Sequence, residues 1–145
     1  MANTNPVFAL TVRSDAITLN TATTGVRTDG STGSTKLMDS GASGTKITQL
    51  YAKSKVANAS TPTAMTVFIY IGTTAGGAAS AVLFDEITLT SIATSTTVPS
   101  PKVTNLYNDF QLPTGWSIWV SASVRTDLNT AVVPNVVVGV MGGDF

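Results

Sequence analysis

The chain has no cysteine and no histidine among its 145 residues. Without cysteine there is no disulfide, no thiol nucleophile, and no Cys-ligated zinc or iron–sulfur cluster. Without histidine the usual general base near neutral pH is missing, and with it the Ser-His-Asp and Cys-His triads and the commonest transition-metal ligand. Carboxylates, lysines and hydroxyls remain for chemistry, which removes most enzyme classes. Charge is also scarce: 11% of residues carry it, against about 25% in an ordinary soluble domain. Part of the surface is therefore expected to meet another protein. Eight Lys and Arg balance eight Asp and Glu, for a formal net charge of +0. Nucleic-acid binding needs clustered cations that displace counterions from phosphates, and is not expected. No apolar run approaches the ~20 residues of a membrane-spanning helix. The opening MANTNPVFAL lacks the positive start and long apolar stretch of a secretion signal, so no export by that route is expected.

What is present favours strands. The chain is 43% hydrophobic with a mean hydropathy of +0.27 despite its many Thr and Ser. Abundant β-branched residues with little charge suit sheets better than helices. The length predicts a single domain over 1–145, burying ~70% of the surface of its unfolded chain.

Turn signals divide the chain. PVFALTV (6–12) and AITLN (16–20) read as short strands around Ser14 and Asp15. TATTGVRTDGSTGST (21–35) reads as a long surface loop, or an arm that orders only against a neighbour. A short strand at 36–38 precedes the turn DSGASG, and 45–56 reads as a long strand. AMTVFIYI (64–71) and AVLFDEITL (81–89) flank a Gly/Ala-rich hairpin with a flexible tip, and 96–98 and 102–110 read as extended. SIWVSASVR (117–125) alternates most cleanly. Trp116, Ile118, Val120, Ala122 and Val124 face one way, and Ser117, Trp119, Ser121, Ser123 and Arg125 the other. NVVVGVM (135–141) is apolar on both faces, as a central or interface strand would be. About eight strands with turns every 8–12 residues predict an all-β sandwich of jelly-roll type.

Several motifs offer chemistry, each with a plainer reading beside it. LMDSGAS (37–43) resembles the signature of small retroviral-like dimeric aspartic proteases, in which two chains each supply one Asp and share a proton. Asp39 would be that carboxylate. The plainer reading is turn chemistry, with Asp and Ser bonding to backbone and Gly taking positive φ. Asp85 and Glu86 are adjacent on a strand and point to opposite faces, so they cannot act on one substrate atom. GSTGST (30–35) lacks the Lys of a P-loop, and neither Asp29-Gly30 nor 127–130 has the alternating acids of a calcium loop. No metal or cofactor is therefore expected. Trp119 stands out on the hydrophilic face of its strand. It is either an interface anchor, a platform for stacking a sugar, or a residue beneath a loop.

Six segments, in order along the chain, carry a resemblance. They are TATTGVRTDGSTGST, GASGTKI (41–47), VFIYIG (67–72), LFDEI (83–87), LPTGWSI (112–118) and the terminal GGDF (142–145). Together they resemble small structural proteins of tailed-bacteriophage virions. The resemblance implies a non-enzymatic capsid decoration (cement) protein, made in the host cytoplasm and carried on the capsid surface, with no cofactor. Its implied partners are the major capsid protein and further copies of itself in a homotrimer. Candidates for contacting the shell are Asn3, Asn5, Val26, Arg27 and Asp29, from the N-terminal segment and the 21–35 loop. Candidates for the interface between copies are Trp119, Val136, Val138, Val140 and Met141. Two alternatives accompany this reading: a tail or fibre component with a carbohydrate-binding sandwich, and the dimeric protease using Asp39.

Overall fold

Eight β-strands follow one another in the computed structural model, which describes residues 11–19, 29–31, 33–55, 64–91, 95, 97–123 and 136–145. They are β1 (Thr11–Leu19), β2 (Thr35–Asp39), β3 (Thr45–Ser54), β4 (Met65–Thr73), β5 (Val82–Leu89), β6 (Lys102–Leu112), β7 (Trp116–Ala122) and β8 (Val136–Asp144). A 3-10 turn at Ala78–Ser80 is the one helical element among the described residues, and no helix there is long and apolar enough to cross a membrane.

The strands form two four-stranded sheets, ordered β1-β8-β3-β6 and β2-β7-β4-β5. All pairings are antiparallel, and four of them are β1 with β8, β2 with β7, β3 with β6, and β4 with β5. That is a chain doubled into one long hairpin about the β4–β5 turn. Rolling the hairpin adds the β3–β8 and β4–β7 pairings and splits it into two facing sheets. The result is the jelly roll expected from the spacing of the turns.

Alternation then fills the space between the sheets. Ile47, Leu50 and Ala52 of β3 and Val136, Val138 and Val140 of β8 meet Val67 and Ile69 of β4 and Ile118, Val120 and Ala122 of β7 in one buried cluster. Fully burying one such aliphatic side chain stabilises the fold by about 1.5–3 kcal/mol. At the open edge, where β5 meets β6, Phe84, Tyr107 and Phe110 close the gap. Phe84 stacks on Phe110 with centroids 4.4 Å apart, and Tyr107 lies 5.7 Å from each. Asn105 Nδ2 donates to Asp85 Oδ2 at 2.7 Å, and the Tyr107 hydroxyl donates to the same oxygen.

Several boundaries differ from expectation. Residues 11–19 run as one strand through Ser14 and Asp15, where a turn was expected, because Arg13 Nη2 bonds Asp15 Oδ2 at 3.0 Å on the side facing the other sheet; residues 6–10 and 20 of the two expected strands lie outside the described residues. Polar residues there are paired with each other and need no turn. β8 runs on through Gly142 and Gly143 to Asp144. Thr97 and Val98 form a bend closed by Ser95 and not a strand. Val124 and Arg125, given faces by the alternation, lie outside the described residues.

Candidate functional site

The segments that stood out in the sequence meet at one end of the sandwich. The DSGASG turn joins β2 to β3, the LPTGW turn joins β6 to β7, and the terminal DF ends β8. Ser40 N donates to Trp116 O at 2.8 Å, and Thr114 Oγ1 to Ala42 O at 3.2 Å. Phe145 N donates to Gly44 O at 3.3 Å. The Gly41 amide donates to Thr45 Oγ1 at 2.8 Å, and that hydroxyl donates onward to Asp144 Oδ1. Arg13 ties the corner together: Nη1 reaches Asp39 O at 2.7 Å and Asp144 Oδ2 at 3.3 Å.

Asp39 belongs to this network. Its Oδ1 accepts from Ser117 Oγ at 2.5 Å and its Oδ2 from Lys36 Nζ at 2.9 Å. The Ser117 hydroxyl, helped by Lys36 and Arg13, holds the Asp39 carboxyl below its ordinary value, against the partial burial that pushes it up. A proton-sharing dyad needs the opposite, a like charge that raises one carboxyl. The arrangement favours a fixed carboxylate that closes a turn. Among the described residues no three His, Cys, Asp or Glu side chains gather as a metal site would require.

Trp119 is 5% exposed, packed with Phe68, Tyr70 and Ala81 on the outward side of the β2-β7-β4-β5 sheet. Tyr70 and Ser121 share a hydroxyl–hydroxyl bond of 3.0 Å beneath this cluster. The connection after β4 folds down as the Ala78–Ser80 turn, and Ala78 packs against the cluster. Trp119 is thus a residue beneath a loop, and neither an interface anchor nor a sugar platform. Its seryl neighbours face a covered surface, which alternation within one strand does not reveal.

Val136, Val138 and Val140 are corrected likewise. All three point between the sheets and are buried in the chain's own core, so they are unavailable to a second copy. The opposite side of β8 carries Val137, Gly139 and Met141, of which Met141 is 39% exposed. Asp29, a shell-contact candidate, bridges to Val82, while Gly30 N donates to Ala81 O at 3.0 Å. The last part of the 21–35 loop is therefore docked on the chain's own hairpin. The Asp29 carboxyl accepts from the hydroxyl and amide of Ser31, which hold it below its ordinary value. Asn3, Asn5, Val26 and Arg27 lie outside the described residues.

The outward face of the β1-β8-β3-β6 sheet is the surface that the sequence reading missed. Register places Ser14, Met141, Gln49 and Leu106 in one cross-strand row, and Ala16, Gly139, Tyr51 and Thr104 in the next. Neither row carries a charge. Leu106 is 76% exposed, and Val12, at the end of β1, is 83% exposed. The Tyr51 ring lies flat across β8, since a Cβ on Gly139 would fall 2.3 Å from its Cζ. Lys102 Nζ sits 4.8 Å from the centroid of that ring. The signal was present as small uncharged residues alternating along β1 (Val12, Ser14, Ala16, Thr18), but it becomes a surface only once the register is known.

No protein-family model matches this chain, and no characterised protein matches it significantly.

Proposed function

We propose that this protein is a non-enzymatic structural component of a tailed-phage virion. It is a decoration protein on the capsid surface that binds the major capsid protein as a homotrimer. The observation that carries this reading is the pair of uncharged cross-strand rows along the middle of the outer β1-β8-β3-β6 face. A surface that exposes Leu106 and Met141 beside Tyr51, on a chain with so little charge, is suited to contact between copies. The in-order resemblance of six segments to phage virion proteins supports the same reading, as does a corner of acidic residues occupied with closing turns.

In this role the trimer contributes by multivalency. Once one subunit docks on the shell, the others bind at high effective concentration, and closed cyclic symmetry matches a local three-fold axis. The N-terminal segment with Asn3 and Asn5, and the loop with Val26, Arg27 and Asp29, are assigned to the shell, leaving the sheet face for the neighbouring copy. Co-sedimentation with emptied capsids of the encoding phage tests the assignment. Native protein is expected to pellet saturably, and a variant lacking residues 1–6 to stay in the supernatant with its oligomeric mass unchanged. Native protein that fails to pellet contradicts the proposal, and full binding by the truncated variant removes the N-terminal contact.

A further inference from the structure

The two sheets treat their edges differently. β1 and β6 border one sheet and β2 and β5 the other, and an edge strand offers unpaired N–H and C=O groups to any strand that can lie beside it. On the second sheet both edges are blunted. β2 is five residues long, breaks register between Lys36 and Met38, and carries the Lys36–Asp39 ion pair. β5 has Asp29 bridged to its first residue, Val82, and breaks register opposite Ile69 and Tyr70. β1 and β6 are longer, at nine and eleven residues. Neither has a main-chain partner on its outer edge among the described residues.

These two edges also match each other. Ser14 and Leu106 end one cross-strand row, and Ala16 and Thr104 end the next, so uncharged stretches of β1 and β6 stand at the same height. Arg13 and Asp15 point between the sheets and are paired with each other. Asp109 lies beyond Leu106, where the register of β6 with β3 shifts. Strands alternate in direction across this antiparallel sheet of four, so β1 and β6 run opposite ways. Copies set side by side by rotation about an axis along the strands keep those directions, and β6 of one then meets β1 of the next antiparallel. A ring of three needs such a head-to-tail contact between two different surfaces, because a surface that meets itself closes a pair.

We infer that the copies join edge to edge, with residues 102–106 of β6 in one pairing antiparallel with residues 14–18 of β1 in the next. The inference rests on the homotrimer proposed above and adds which strands meet. Main-chain hydrogen bonds hold each junction, and closing the ring leaves no edge of this sheet open. At equal height Leu106 packs against Ser14 and Ala16 across the junction, which covers a side chain 76% exposed in the single chain. Lys102 falls opposite Thr18, so no like charges are opposed. The uncharged rows turn toward the three-fold axis, which shields Leu106 and Met141 from water.

The chain has no cysteine, so introduced thiols report the contact directly. Ala16 and Thr104 are both exposed, and cross-strand neighbours lie within reach of a disulfide. Oxidised Ala16→Cys/Thr104→Cys is expected to run on a denaturing gel as covalent dimers and trimers and nothing larger. A short bismaleimide covers a diagonal register. Each single variant stays at the mass of one chain, as does Ala16→Cys/Thr88→Cys, which moves one thiol to β5 of the other sheet. Hydrogen exchange of unmodified protein reads the same contact without thiols: alternate amides of 14–18 and 102–106 are protected in native protein and lose that protection in Leu106→Lys. Native protein at the mass of one chain in light scattering removes the homotrimer and this inference together. A native trimer whose double variant forms no covalent product, single variants that link to themselves, or equal exchange in native protein and Leu106→Lys overturns the edge pairing alone.

Discussion

Single residues in this protein explain features that looked chemical in the sequence. Asp39 is held ionised by Ser117 and Lys36, so its contribution to stability has a definite pH dependence. A carboxyl whose folded pKa is depressed stabilises fully above its unfolded value, about 4, and that contribution is lost as pH falls through the folded value. Ser117→Ala is therefore expected to destabilise by about 1 kcal/mol at pH 7, since Asp39 is half-exposed and screened, and by less at about pH 2. Urea melts at the two pH values check this, and an equal loss at both contradicts it. Tyr107 works in the other direction. Burial, and then the hydrogen bond to Asp85, push its phenol well above the ordinary value. A raised folded pKa gives stability that is complete below the unfolded value, about 10, and is lost as pH rises beyond it. Tyr107→Phe should flatten the alkaline loss of stability seen in native protein, and an unchanged alkaline limb would exclude Tyr107 as its source. Two glycines of β8 differ by what surrounds them. The atoms nearest a Cβ on Gly139 all belong to the Tyr51 side chain, whereas one on Gly142 falls 2.1 Å from the main-chain oxygen of Lys46. Gly142→Ala should cost more than Gly139→Ala, and Tyr51→Ala should relieve only the Gly139 variant in a double-mutant cycle.

At the scale of elements, most strands were legible because one face of each is apolar and turn residues bound it. The long strand from Thr45, the hairpin of β4 and β5, and the inward set Ile118, Val120 and Ala122 all follow from alternation alone. Alternation says which residues share a face and not what covers that face. For this reason Trp119 and the β8 valines were expected at an interface, although the chain covers them itself. It also hid the outward face of β1, β8, β3 and β6, whose rows combine residues distant in sequence, such as Ser14, Met141, Gln49 and Leu106. The turn corner had the same origin: DSGASG, LPTGW and GGDF are separate motifs in sequence and one hydrogen-bonded assembly in space. If the uncharged rows are the contact between copies, Leu106→Lys removes that contact and leaves the fold intact, because the side chain is already 76% exposed. The far-UV circular dichroism should then match that of native protein, and loss of the strand signal would place Leu106 in the core instead.

The whole molecule has two unlike ends and two unlike faces. Short turns and paired charges close one end; β1, β3, β5 and β7 finish at the other, beside Lys53 and Lys102. One outer face is filled by the chain's own Phe68, Tyr70 and Trp119, and the other is uncharged along its middle and open to solvent. That asymmetry is what a protein working by contact requires: one face for its own integrity and one for a neighbour. The most direct measurement is the solution mass of native protein and of Leu106→Lys by light scattering across a dilution series. The account expects native protein at three times the chain mass of 14.9 kDa, stable on dilution, and the variant at the chain mass itself. Native protein that stays at the mass of one chain, or a variant that keeps the native mass, would contradict the assignment of this face as the contact between copies.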